Sequence, residues 1–234
     1  MINLKKHSPW LISFILILLL APFTPQIDLF FERYFYVDGH FQSNNFLNFM
    51  YTFGVLPGWI LAVGSLLIFI LSYFYPYWKP WRRYVLLPLL TMIVGAGLLV
   101  DKSFKEYWGR PRPKQVIEFG GTQQFRPFYK PNFFSQPEPS KSFPSGHSSM
   151  GFLFFSAALA GQRLGKRKLY LAGIITTLFL GILLGYARMA QGGHFFSDII
   201  FSAAIMGWTA LFFDWLIFES LKPVTYENAD KKTA

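Results

Sequence analysis

Apolar residues in this chain arrive in blocks of about 20, and nothing else in the sequence constrains the fold as much. A bilayer core about 30 Å thick is crossed by about 20 apolar helical residues. Only elements that satisfy all of their own backbone hydrogen bonds survive there. Six such blocks run over 9–27, 53–75, 84–101, 146–162, 169–187 and 196–218. The expected fold is therefore all-α, a six-transmembrane-helix bundle in a single domain over 1–234. Charged residues are 15% of the chain, against about 25% in an average soluble protein. Aromatics at 20% exclude a disordered chain or a polar nucleic-acid tail, and no nucleic-acid partner is expected. The chain has no Cys, which removes disulfides, thiolate zinc sites and Cys nucleophiles.

The first block follows Lys5 and Lys6 and has no small-x-small cleavage site, so it reads as a retained anchor. Lys79, Arg82 and Arg83 link blocks two and three, and Arg163, Lys166, Arg167 and Lys168 link blocks four and five. The tail adds Lys222, Lys231 and Lys232. With six spans these groups share one side with the N-terminus, the cytoplasmic side by the positive-inside rule. Residues 28–50 mix aromatics with Asp28, Glu32, Arg33 and Asp38. They fit either an amphipathic helix lying in the interface or an ordered aromatic loop.

One segment breaks the charge pattern. Residues 102–143 face outward in this layout, yet carry eight Lys and Arg against three Glu, a surplus of five. An anionic ligand is the simplest reason for a basic outward loop; a solvated loop touching lipid phosphates is the plainer one. The stretch 108–143 is long, Pro-rich and aromatic, and loops of that length are usually functional or disordered. Its aromatics favour order.

Three polar clusters fall at outward membrane boundaries: Lys105 to Pro113, Pro144 to His147, and Arg188 to Asp198. Lys105, Arg112 and Arg188 could surround one tetrahedral dianion, Arg as a planar fork and Lys as a point charge. Ser145 and Gly146 stand where a helix starts, and its free N–H groups suit phosphate. His194 and Asp198 are four apart. On a helix they share a face, so Asp198 accepts from one ring nitrogen and leaves the other as a nucleophile. His147 could then protonate a leaving oxygen. Singly, each residue also fits a bland interfacial role, and a His194–Asp198 metal pair lacks further ligands. Two of only four His in convergent clusters fits the bland reading poorly.

The clusters resemble the three signature motifs of the PAP2 family, the type 2 phosphatidic acid phosphatases and their vanadium haloperoxidase relatives. The motifs K-x6-R-P, P-S-G-H and S-R-x5-H-x3-D match Lys105-x6-Arg112-Pro113, Pro144-Ser145-Gly146-His147 and Arg188-x5-His194-x3-Asp198. One position departs: the Ser before the third-motif Arg is Ala187, which removes a hydroxyl from the phosphate shell. Arg110 adds a second Arg-Pro step, either touching substrate or bracing the loop.

The resemblance implies an active site at the outward, periplasmic face of a bacterial inner membrane, with both termini cytoplasmic. His194 would attack phosphorus, Asp198 would orient it, and His147 would protonate the leaving group. Lys105, Arg112, Ser145, Gly146 and Arg188 would hold the phosphoryl oxygens, with no metal and no cofactor. The implied partners are membrane lipids and a phosphorylated lipid substrate: lipid A, undecaprenyl diphosphate, phosphatidylglycerol phosphate or phosphatidic acid. The basic aromatic loop 114–143 leans toward a bulky headgroup. A lipid phosphotransferase would carry the same motifs. A transporter is a weaker alternative, because the spans lack central charge and Asp214 lies near an end. The oligomeric state is not legible.

Overall fold

A computed structural model describes residues 4–134, 136 and 139–220. It is mostly helical, with five helices long and apolar enough to cross a membrane: Leu11–Phe35, Asn45–Phe74, Pro76–Lys105, Arg167–Ala190 and Phe196–Ser220. Helix α1 (Leu4–Leu20) passes through a tight turn into α2 (Thr24–Phe35). A two-residue hairpin, β1 (Tyr36–Val37) with β2 (His40–Phe41), pairs Tyr36 with Phe41. Then come α3 (Asn45–Phe53) and α4 (Leu56–Phe74), where Asn44 caps α3 by accepting from the Leu47 N–H at 2.9 Å. Helix α5 (Arg82–Leu90) continues to Lys105 in a wider π winding, in which the Ser103 hydroxyl donates to the Leu98 carbonyl five residues back.

Two expectations are corrected here. The stretch 146–162 is not one of the five long apolar helices. It is two shorter ones, α6 (Gly146–Phe152) and α7 (Phe154–Arg163), broken at Leu153. Back-bonded serines flank the break. Ser149 donates its hydroxyl to the Gly146 carbonyl at 2.7 Å, and Ser156 to the Leu153 carbonyl at 2.6 Å. Such back-bonding competes with the helix ladder and bends it. The first apolar helix also does not end near 27. It runs on to Phe35, because Asp28 and Glu32 are buried where α2 packs on α8 (Arg167–Ala190) and α9 (Phe196–Trp215). Residues 28–50 are thus divided among a helix end, the hairpin and α3.

The bundle is held by close helix approach, as expected where lipid removes the hydrophobic drive between helices. Helix α8 lies along both α6 and α7. A methyl on Gly173 would sit 2.6 Å from the Ala158 Cα, and one on Gly151 would sit 2.6 Å from the Leu180 carbonyl carbon. Most of Leu11–Leu20 is half or more exposed, so the first helix lies at the rim with its apolar face open to lipid. At one end of the bundle the Lys166 ammonium sits 4.8 Å above the Trp81 ring, which brings the basic links together. There Arg163 also pairs with Asp214, donating at 2.9 and 2.5 Å. The basic tail lies outside the described residues.

Candidate active site

At the other end, the three sequence clusters meet. The Lys114 N–H donates to the Gly192 carbonyl at 3.2 Å, the Gln42 N–H to the Ala190 carbonyl at 3.0 Å, and the Ser145 N–H to the Asp198 carbonyl at 3.3 Å. Loop 108–143, the hairpin end, the start of α6 and the α8–α9 turn are therefore one structure.

His194 is 1% exposed. Its Nδ1 is 2.5 Å from the Ser142 carbonyl oxygen. A carbonyl only accepts, so Nδ1 carries the proton and Nε2 keeps its lone pair. The contact with Asp198 expected from the sequence is a long one: Nδ1 and Asp198 Oδ2 are 3.7 Å apart, within ion-pair range but beyond a normal hydrogen bond. The reason is local. Helix α9 starts at Phe196, so His194 precedes it, and Phe195 is extended at φ −79°, ψ 162°. Helical i,i+4 geometry does not apply there.

Asp198 instead fixes what surrounds His194. One carboxylate oxygen accepts from the Ser142 hydroxyl at 2.6 Å and the Phe195 N–H at 2.9 Å. The other accepts from Arg110 Nη1. Ser142 supplies the carbonyl that holds the ring, so the carboxylate acts on the imidazole at one remove. Burial holds the His194 ring down at about 3, against the raising influence of Asp198.

Arg110 is fully buried and braces the site. Besides Asp198, it donates to Asp28 Oδ2 at 2.7 Å, the Ser197 hydroxyl at 2.8 Å and the Arg126 carbonyl at 2.9 Å. Asp28 also accepts from the Ser197 N–H at 2.8 Å and its hydroxyl at 2.7 Å. Burial alone would depress Arg110; the charges of Asp198 and Asp28 more than offset it and hold the guanidinium above its ordinary value. Sequence reasoning missed Asp28, Ser142 and Ser197. The available signal was an acid inside an apolar helix, which calls for a partner.

The expected phosphate-binding residues lie around this core. The Lys105 ammonium pairs with Asp101 at 3.2 Å and abuts Gly146, where a side-chain carbon would come within 2.9 Å of it. Arg188 lies against Gly193, where a side-chain carbon would come within 2.6 Å of its Cζ. Its Nη1 donates to Gln191 Oε1 at 2.6 Å, while its buried Nε has no partner among the described residues. Ser145 caps α6, its hydroxyl accepting from the Ser148 N–H at 3.4 Å. His147 stacks on Tyr51 with centroids 5.0 Å apart. Its Nε2 lies 3.1 Å from the Tyr51 carbonyl, which leaves Nδ1 for chemistry. Arg188, Lys105 and Arg112 lie within electrostatic reach of that ring. Arg112 and Arg188 line a pocket of about 360 Å³. Ala187 sits in the apolar core with Met189 and Ala190. Among the described residues, no group of three or more His, Asp or Glu could hold a metal. Chemically, the cluster offers a neutral imidazole lone pair with the charges of Arg188 and Lys105 in reach, and Arg112 in reach of Arg188.

No solved structure matches the chain. The family model described as the PAP2 superfamily matches residues 84–222. A lipid A 4'-phosphatase of Francisella tularensis subsp. novicida is 34% identical over 182 residues, covering 76% of this chain and 80% of the relative. A lipid A 4'-phosphatase of Rhizobium leguminosarum is 28% identical over 145 residues, covering 62% of this chain and 56% of the relative. A lipid A 1-phosphatase of Rhizobium etli is 36% identical over 124 residues, covering 53% and 46%. The chain thus spans most of the Francisella relative and about half of each Rhizobium one. With well over half of its length matched by the family model, this chain belongs to the PAP2 superfamily and is a phosphatase, a hydrolase of phosphoric esters.

Proposed function

We propose that the chain removes a phosphate from lipid A at the outward face of a bacterial inner membrane, through a phosphohistidine on His194. The observation that carries the chemistry is the Ser142 carbonyl on Nδ1, which fixes the reactive tautomer. The substrate class is supported by the relatives' names and by the basic loop over the site. On this reading α6 and α7 together count as a sixth crossing, with the loop 108–143 outside and both termini inside.

In the first step Nε2 of His194 attacks phosphorus. The P–O bond to the lipid breaks, its electron pair goes to the leaving oxygen, and protonated His147 supplies a proton from Nδ1. Lys105, Arg112 and Arg188, with Ser145 and the Gly146 N–H, hold the phosphoryl oxygens. Charge stabilisation of this kind is commonly the largest catalytic contribution. In the second step His147 takes a proton from water, the water oxygen attacks phosphorus, and the N–P bond breaks to release phosphate and restore Nε2. Asp198 steadies the positive ring through Ser142 and by its nearby charge.

Purified protein in detergent, with EDTA present, should release phosphate from lipid A more readily than from phosphatidic acid, phosphatidylglycerol phosphate or undecaprenyl diphosphate. The His194→Ala protein should release none. Brief exposure to substrate carrying labelled phosphate should leave an acid-labile, base-stable label on the wild-type chain alone. Inhibition by EDTA, or equal label on His194→Ala, would overturn the mechanism.

A further inference from the structure

We infer that the pocket beside Arg112 and Arg188 is a headgroup subsite that reads the sugar ring bearing the phosphate. The inference rests on the phosphatase reading above and deepens it. The pocket, about 360 Å³, is within the size range of small-molecule sites. It is continuous with the phosphate cluster, because the two arginines belong to both. A ligand whose phosphate lies on them has its next atoms in this pocket.

Besides Lys114 and the rings of Phe41 and Tyr51, part of the remaining lining is uncharged and polar. It is built from Gln42, Ser43 and Asn48. Carboxamides and hydroxyls both donate and accept. They match the hydroxyl and amide groups of a phosphorylated amino sugar. The diacylglycerol part of phosphatidic acid offers ester oxygens, which only accept, so the acceptor atoms of such a wall find donors on ring hydroxyls and amides and none on those esters. Gln42 spends its backbone N–H on the Ala190 carbonyl, and the side chains of Gln42 and Ser43 hold no hydrogen bond among the described residues.

The wall is held in register with the phosphate end. Arg188 donates to Gln191 at 2.6 Å, and Gln191 donates to Asn48 Oδ1 at 3.2 Å. A neutral polar relay therefore ties the phosphate-binding guanidinium to α3. Residues 42–48 also precede the family-matched region, 84–222. Phosphate chemistry comes from the shared part of the chain, and the wall that would read the rest of the headgroup comes from outside it.

The test compares lipid A with phosphatidic acid, for the wild type, for Gln42→Ala with Ser43→Ala, and for Asn48→Ala. The full chain is used in detergent. Where phosphatidic acid is not turned over, its inhibition constant stands in for its kcat/KM. The preference for lipid A should fall about tenfold, the worth of one hydrogen bond or slightly more, and the fall should lie in KM. A preference unchanged within twofold in both variants overturns the subsite, as does a wild type with no preference. Absence of phosphate release from either lipid by the wild type is a different failure: it sinks the phosphatase reading, and the subsite with it.

Discussion

The tautomer of His194 is fixed by a main-chain carbonyl, and the burial of its ring has a measurable pH signature. The buried ring stays neutral down to about 3. In the unfolded chain it takes up a proton near its ordinary 6.5, so the unfolded state binds more protons throughout that window. Native stability therefore falls as pH drops from 6.5 toward 3. The thermal midpoint in detergent should decline over this range, and His194→Gln should decline less steeply. Identical slopes would mean that the ring protonates normally in the fold. Arg110 makes a second residue-level prediction. Its removal strands the buried Asp28 and Asp198, and breaking a buried pair costs about 3–5 kcal/mol. Arg110→Ala should lose its thermal midpoint and its phosphate release together. Arg110→Lys should rescue neither, because one ammonium cannot reproduce a planar fork that reaches two carboxylates and a carbonyl.

Among the helices, the α6–α8 contact decides whether the site assembles. Ser145, Gly146 and His147 ride on α6, which lies against α8 where Gly151 meets Leu180 and Gly181. A branched side chain at Gly181 would collide with the Phe152 ring, and overpacking of this kind costs about 1–3 kcal/mol. Gly181→Val should reduce the monodisperse fraction in detergent and lower kcat more than it raises KM, because it shifts His147 and leaves Arg112 in place. A kcat equal to the wild type would show that α6 tolerates the displacement. At this scale the sequence was readable where apolar length alone set the outcome, as in 53–75, 169–187 and 196–218. It misled where side chains rewrote the backbone. The fourth block is interrupted between Ser149 and Ser156, and the first is extended past Asp28, whose burial depends on Arg110 and Ser197, remote in the chain.

For the molecule as a whole, the three motif clusters were legible as one end of a bundle, since alternating spans alone bring them together. The brace was not. Nothing in the spacing of Asp28 and Arg110, 82 residues apart, signals that they touch, and the pocket wall at 42–48 is equally silent. Topology is the open whole-molecule prediction, and a chain with no Cys suits it. A single Cys at Lys130 should react with an impermeant maleimide in intact spheroplasts, whereas one at Lys168 should react only after lysis. The reverse pattern would turn the bundle over.

The Asp28–Arg110 pair also bears on where this protein can be cut. A fragment trimmed to the family-matched stretch would begin at 84 and keep every signature residue. It would also keep a buried guanidinium with one of its two counter-ions gone, and Ser197 without the carboxylate that takes its N–H and hydroxyl. The first helix looks like a leash from outside, with its apolar face bare to lipid. From inside it is a structural member of the candidate active site, so exchanging it for a generic membrane anchor would exchange part of that site.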